Sequence, residues 1–208
     1  MKKQIFRAVS LIIAVCVAAG CNGTAEETTT TTAAEIAEET EVSEQAIEPM
    51  PEGWSVEKIA ALIEIDGNSL KFPCTPEEFE SLSEKITLSE PDEIFNYCDI
   101  YYDDVNIGTF ALNHNSGYCD TIHFDINNFY DTNIVNSITF CGYKIDDAQN
   151  INSSLDNDFK YYDVFTVDSG LCFKNYLWNI KQERFSLALV FSEAKTESIS
   201  FALRKEED

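Results

Sequence analysis

Residues able to do covalent chemistry are few and scattered in this chain. Beyond the first twenty-one positions the cysteines are Cys74, Cys98, Cys119, Cys141 and Cys172, and the only histidines are His114 and His123. A thiolate beside an imidazole makes a nucleophile, and Cys119 is near both histidines in sequence. Along extended chain, however, four or five residues span roughly 13 to 17 Å, so either pair would need a turn to bring it together. Five thiols are an odd number, so any disulfide scheme leaves one free. There is no G-x-S-x-G, H-E-x-x-H, C-x-x-C or phosphate-binding glycine loop. These cysteines therefore read as small buried apolar residues, and no catalytic residue is expected.

Carboxylates are plentiful. Asp99, Asp103, Asp104 and Asp120 form one candidate oxygen-ligand set and Asp156-Asn157-Asp158 another. Neither follows the calcium-loop pattern of a central glycine and a terminal glutamate. No metal and no cofactor is expected. Across the chain 37 acidic residues face 14 basic ones, a formal charge of −23. Such a charge repels nucleic acid and anionic lipid. It suits cationic partners, divalent ions or plain solubility.

Recognition chemistry is the better prospect. Along 121–127 the apolar Ile122, Phe124 and Ile126 alternate with Thr121, His123, Asp125 and Asn127, as on a strand with one face in the core and one open. Ser198, Ser200 and Ala202 occupy the polar side of a similar strand later in the chain. Aromatic residues are numerous, among them Tyr97, Tyr101, Tyr102, Tyr118, Tyr161, Tyr162, Tyr176 and Trp178. Tyrosine and tryptophan anchor interfaces and stack on sugars. Trp178 is expected in the core. Tyr101 and Tyr102 are expected at the surface, beside the Thr121, His123, Asp125 and Asn127 face.

The elements that must position these residues are mostly short alternating runs, which read as strands. Residues 62–65 and 70–72 flank Asp66-Gly67-Asn68 and form a hairpin. Thr75, Pro76 and Glu78 carry the N-cap, first-turn proline and capping-box glutamate of a helix, with Phe79 and Leu82 facing inward. Further strands are expected at 99–103, 109–112, 121–126, 137–140, 143–145, 162–167, 172–180, 185–191 and 198–203, with a weaker helix at 146–155.

The two halves are alike. Ile63-x-Ile65-x-Gly67 matches Ile138-x-Phe140-x-Gly142 at an offset of 75, and Ile122-x-Phe124 matches Ile199-x-Phe201 at 77. Phe110-x-Leu112 matches Leu187-x-Leu189, also at 77, and Phe79 falls opposite Leu155. A steady offset implies an internal repeat, with units at 60–128 and 135–204. The fold class is α+β, rich in antiparallel sheet with few short helices. Two such units of helix plus sheet resemble the tandem-repeat fold of beta-lactamase inhibitory protein over residues 60–203. Single copies of similar units occur in small outer-membrane assembly lipoproteins. The resemblance implies a protein-binding role without catalysis; it rests on architecture and maps no contact residues.

The N-terminus sets the address. Lys2, Lys3 and Arg7 precede an apolar run at 8–19, about 18 Å of helix and too short for the ~30 Å hydrocarbon core. Val17-Ala18-Ala19-Gly20-Cys21 resembles the lipobox of bacterial lipoproteins, departing from it in having Ala18 where leucine is commonest. That resemblance implies cleavage after residue 20, a signal peptide at 1–20 and diacylation of Cys21; Gram-positive anaerobes carry lipoproteins of similar style. Two acyl chains hold a protein stably to a bilayer, here on the extracytoplasmic face of the cell membrane. Residues 21–52 hold no Lys or Arg, five consecutive threonines from Thr28 to Thr32 and many glutamates. They read as a disordered tether, leaving 53–208 as the globular domain.

The expectation from sequence is thus a membrane-anchored extracytoplasmic binding module. Its partner would be a protein, with a cell-wall glycan as the alternative and hydrolysis the least supported reading, because no two carboxylates stand at a defined spacing.

Overall fold

Alternation of large apolar and small polar residues builds most of the elements. The computed structural model describes residues 47–167, 169–193 and 195–205. The first half runs β1 (Glu48–Pro49), α1 (Val56–Ala60), β2 (Ile63–Ile65), β3 (Asn68–Ser69), α2 (Pro76–Glu80), β4 (Ile86–Leu88), β5 (Tyr97–Tyr102), β6 (Val105–Leu112) and β7 (Cys119–Asp125). Two 3-10 turns, Ile126–Asn128 and Asn133–Asn136, lead into the second half. That half runs β8 (Ile138–Phe140), β9 (Tyr143–Lys144), α3 (Ala148–Asp158), β10 (Asp163–Thr166), β11 (Cys172–Ile180), β12 (Glu183–Phe191) and β13 (Thr196–Lys205). The signal and lipidation expectations at 1–20 and Cys21, and the tether up to residue 46, lie outside the described residues.

Local chemistry explains the punctuation. The β2–β3 turn places Asp66 and Gly67 at φ 49 and 80, and the β8–β9 turn places Cys141 and Gly142 at φ 55 and 78. Both are two-residue turns with positive φ at each centre, whose twist matches that of the strands they join. At α2 the Thr75 hydroxyl accepts from the Glu78 amide, and the Glu78 carboxylate accepts from the Thr75 amide. Both orphan amides of the first turn are satisfied there, and Phe79 is delivered into the core.

The fold is α+β, with one large and one small sheet, both mostly antiparallel. In the large sheet the order is β1-β11-β12-β13-β7-β6-β5-β4, with β10 also on β11; in the small sheet it is β3-β2-β8-β9. Among the described residues only β1 runs parallel to its neighbour. Each half thus supplies a four-stranded meander, β4 to β7 or β10 to β13, and the two join along β7 and β13. Their register is self-complementary. Ile122 pairs with Phe201, Phe124 with Ile199, and His123 with Ser200, its counterpart in the repeat. The small sheet repeats the arrangement: Ile63 pairs with Phe140, Ile65 with Ile138, and Glu64 with its counterpart Thr139. Each sheet is therefore arranged about a local two-fold, as an isologous contact is.

Both sheets and all three helices feed one core. An aromatic chain runs through it, with ring centroids 5.7 Å apart for Trp178 and Phe185, 6.2 Å for Phe185 and Phe201, and 6.2 Å for Phe201 and Phe140. Trp178 is core, as expected.

Several boundaries move. The second arm of the first hairpin, expected at 70–72, is Asn68–Ser69, because the two-residue Asp66-Gly67 turn brings the chain back at once. The tether was expected to reach residue 52, yet Glu48 and Pro49 pair with Trp178 and Asn179. There Glu48 meets Lys160 at 3.2 Å, and Trp54 sits edge-on to Phe159 at 4.6 Å. Composition hides a two-residue strand whose partner lies far along the chain. The strand expected at 121–126 is Cys119–Asp125, with Ile126 opening a 3-10 turn and still buried. The helix expected at 146–155 is α3, which runs to Asp158 and is the longest among the described residues.

Candidate functional site

The outer face of the large sheet is the candidate site. Alternation sends Ile122 and Phe124 of β7 inward, so Thr121, His123 and Asp125 face outward. On β13 the outward residues are Ser198, Ser200 and Ala202. Register extends the face on both sides. Thr109 and Ala111 of β6 lie beside His123 and Thr121, and Asp99 of β5 lies beside Thr109. On the other side Ser186, Ala188 and Val190 of β12 lie beside Ala202, Ser200 and Ser198, followed by Leu177, Asn175 and Phe173 of β11. The centre is paved with Ala, Ser and Thr, so the backbone lies close to the surface across the middle strands. The helices and the small sheet send their buried residues into the core beneath.

His123 sits at the middle of this face. Its Nδ1 lies 2.6 Å from the Ser200 hydroxyl. Burial lowers its pKa below the usual imidazole range, and the Asp125 carboxylate opposes that only in part. The neutral ring and the serine hydroxyl thus close the local two-fold with a hydrogen bond. Under this point Gly108 allows a close approach of strands, since a Cβ there would lie 1.9 Å from the His123 carbonyl oxygen.

Of the six face residues expected from sequence, four are brought together. Thr121, His123 and Asp125 share the face. Tyr101 joins its β5 margin, half-buried, its hydroxyl donating to Asp99 at 3.3 Å. Asn127 lies past the end of β7 in the 3-10 turn, where it accepts from Lys195 at 2.6 Å. Tyr102 does not belong to the surface and corrects the expectation: it is 1 % exposed. Its hydroxyl donates to the Asp66 carboxylate at 2.9 and 3.0 Å and accepts from Lys85 at 3.1 Å. The reason is parity, because Cys98, Ile100 and Tyr102 alternate inward along β5. Sequence reasoning passed over Thr109, Ser186 and Ala188. The alternation of Phe185, Leu187 and Leu189 with Ser186, Ala188 and Val190 was the available signal.

The other chemically able groups are engaged elsewhere. Cys119 is wholly buried, its thiol donating to the Thr121 carbonyl at 3.1 Å. Burial pushes that thiol far up, Cys74 to about 12 and Cys141 to about 11. His123 is bonded to Ser200, and His114 lies exposed in the turn before β7. Lys174, 4 % exposed, donates to both Asp156 carboxylate oxygens and to the Asn152 side-chain oxygen, the last at 2.8 Å. Tyr176 donates to the same Asp156 at 2.8 Å, and burial followed by that carboxylate pushes the phenol far up. Asp156, itself partly open to solvent, is thereby committed to the pair with Lys174 and Tyr176. Among the described residues no group of three or more His, Cys, Asp or Glu stands close enough to hold a metal ion. A cavity of about 170 Å³ opens beside α3, lined by Leu62, Glu64, Cys141, Ser154, Leu155 and Asp158.

Compared with protein-family models, curated proteins and solved structures, the chain matches none of them. No helix among the described residues is long and apolar enough to cross a membrane.

Proposed function

We propose that this protein is a lipid-anchored module, held at the extracytoplasmic surface through Cys21, whose open sheet face binds another protein without catalysis. One observation carries the reading. Small residues, mostly Ala, Ser and Thr, pave the middle of a continuous face across six strands, while large residues stand at its margins. Such a surface offers low relief and close backbone access at the centre, with apolar anchors around it. Its geometry is held by the sheet, so little ordering entropy is lost on binding. A glycan-binding groove would need rings stacked along the face. Tyr102, Tyr176 and Trp178 lie in the core, and the exposed Tyr97 and Tyr118 stand at one margin of the face rather than across it, so a protein partner is the better-supported reading.

The test is photo-crosslinking in the native cell with a photoreactive amino acid at Ser200 or at Lys181, an exposed hairpin residue away from the face. A discrete protein adduct from position 200 and none from 181 is the expected result. No adduct from 200 overturns the reading of the face. The anchor is tested apart from this, by the mass of the mature N-terminus: diacylated Cys21 is expected, and a chain still joined through Gly20 overturns it.

A further inference from the structure

At the β5 margin of the face, two neighbouring turns gather large apolar side chains in solvent. Ile94 is 76 % exposed, Phe95 67 %, Tyr97 45 % and Tyr118 47 %. The turn before β5 is joined to the end of β6, with the Leu112 amide donating to the Asn96 carbonyl at 3.0 Å and the Asn96 side chain donating to the Leu112 carbonyl at 2.8 Å. The turn between β6 and β7 follows directly from Leu112 and closes on itself, the Asn113 amide donating to the Tyr118 carbonyl at 2.9 Å. Both turns are held from within. The Asp92 carboxylate accepts from the amides of Ile94, Phe95 and Tyr97, and the Asn113 side-chain oxygen accepts from those of Asn115 and Ser116. Tyr97 connects the corner to the face, because it pairs with Ala111, which pairs with Thr121.

The charge around this corner has one sign. Between Lys85 and Lys144 there is no lysine or arginine, while Glu90, Asp92, Glu93, Asp99 and Asp120 all lie in that stretch. Buried beneath it, the Cys98 thiol is pushed up first by burial and then by the carboxylates of Glu90, Asp92, Asp99 and Glu80. A second copy of the chain, itself at −23, would be repelled, and so would an anionic bilayer. Exposed Ile and Phe on a rigid turn offer apolar area at low entropic cost.

We propose that this corner docks a cationic segment of a partner protein: a strip of aliphatic side chains seated on Ile94, Phe95, Tyr97 and Tyr118, flanked by Lys or Arg facing the carboxylates. The proposal rests on the reading of the outer face as a protein-binding surface and names the chemistry of its partner. Apolar contact supplies the affinity, and charge supplies steering and exclusion of acidic surfaces.

The experiment titrates the full-length protein in detergent with a synthetic helix carrying Leu on one side and Lys on the other. Parallel arms use the same helix with Glu for Lys, with Ser for Leu, and anionic lipid vesicles. The Leu/Lys helix is expected to bind best. Ile94→Ser and Phe95→Ser, which leave the charge unchanged, each weaken it about tenfold. Phe165→Ser, an exposed aromatic on β10, leaves it as it was. Glu90→Gln with Glu93→Gln weakens it and flattens its salt dependence. Circular dichroism melts confirm that each variant is folded. Equal binding by the Ile94 and Phe95 variants, equal binding of the Glu helix, or a vesicle signal lost with Phe95→Ser overturns the proposal. A cellular adduct from position 200 alongside any of these leaves the face reading standing and removes only the cationic corner.

Discussion

The two halves of the large sheet share a plan and diverge in charge, in their outermost strands and in how each houses a lysine. In the first half β4 tucks Ile86 into the core beside α2, whereas in the second all of β10 is exposed. The meander from β4 to β7 carries no cation, while β10 to β13 includes Lys174, Lys181, Arg184, Lys195 and Arg204. Each half also holds a lysine, an aspartate and a tyrosine in contact. In the first, a buried Tyr102 bridges an exposed Lys85 and an exposed Asp66; in the second, an exposed Asp156 bridges Tyr176 and a buried Lys174. The difference teaches that the halves share strand order and an inward apolar set, while registry, polar groups and edges differ. Phe110 pairs with Ile122, whereas Leu187, its match at an offset of 77, pairs with Phe201.

The contrast can be pressed hardest at the centre. Gly108 pairs with Phe124, and the corresponding partner of Phe201 in the second half is Leu187. Gly108→Ala should cost about 3 kcal/mol or more, because the added Cβ meets backbone that cannot yield alone. Urea denaturation checks this, and a variant within half a kcal/mol of the parent would show that β6 and β7 can part without loss.

Next come the lysines. Lys174→Ala removes a buried ammonium whose partner Asp156 is solvent-accessible, together with its packing, and should cost roughly 2 kcal/mol. Lys85→Ala, whose pairing with Asp103 at 3.8 Å is exposed on both sides, should cost about 1 kcal/mol or less. Thermal melts of the two variants side by side test the ranking, and equal costs would erase the distinction between the halves.

The smallest effect concerns the central pair. The folded-state pKa of His123 is depressed, so the unfolded chain takes up a proton more readily. Stability tied to this group is complete above about pH 6.5 and declines as pH falls from there toward the folded pKa. His123→Ser makes the pair symmetric with Ser200 and should remove that slope. Denaturation midpoints between neutral and mildly acidic pH measure it, and an unchanged slope assigns the dependence to other groups. At lower pH Asp66 contributes in the same direction. Burial raises its pKa, but hydrogen bonds from Ser83, Tyr102 and Ser137 with the charge of Lys85 outweigh it and leave it lowered. Stability from Asp66 is therefore present above about pH 4 and lost as pH falls through its depressed pKa.

Much of the site was readable before any coordinates. Thr121, His123 and Asp125 declared their face through Ile122 and Phe124, and Ser198, Ser200 and Ala202 did so through Ile199 and Phe201. Tyr102 was misplaced because a tyrosine at a strand end reads as amphipathic, and its partner Asp66 is thirty-six residues away. The Ile94–Phe95 corner was not anticipated. Apolar residues in a sequence are ordinarily assigned inward, and only the Asp92 and Asn113 turns hold these out.

What the sequence alone determined is local. The Thr75–Glu78 cap, the Asp66-Gly67 and Cys141-Gly142 turns and the inward set of each strand follow from side chains acting on nearby backbone, or from a period of two. The tertiary structure decided the partnerships: β7 against β13, Ser200 under His123, Glu48 beside Trp178, Lys174 closed over by Asp156. Alternation states which side of a strand is apolar and is silent about which strand lies next to it. That choice belongs to the packing of the whole core.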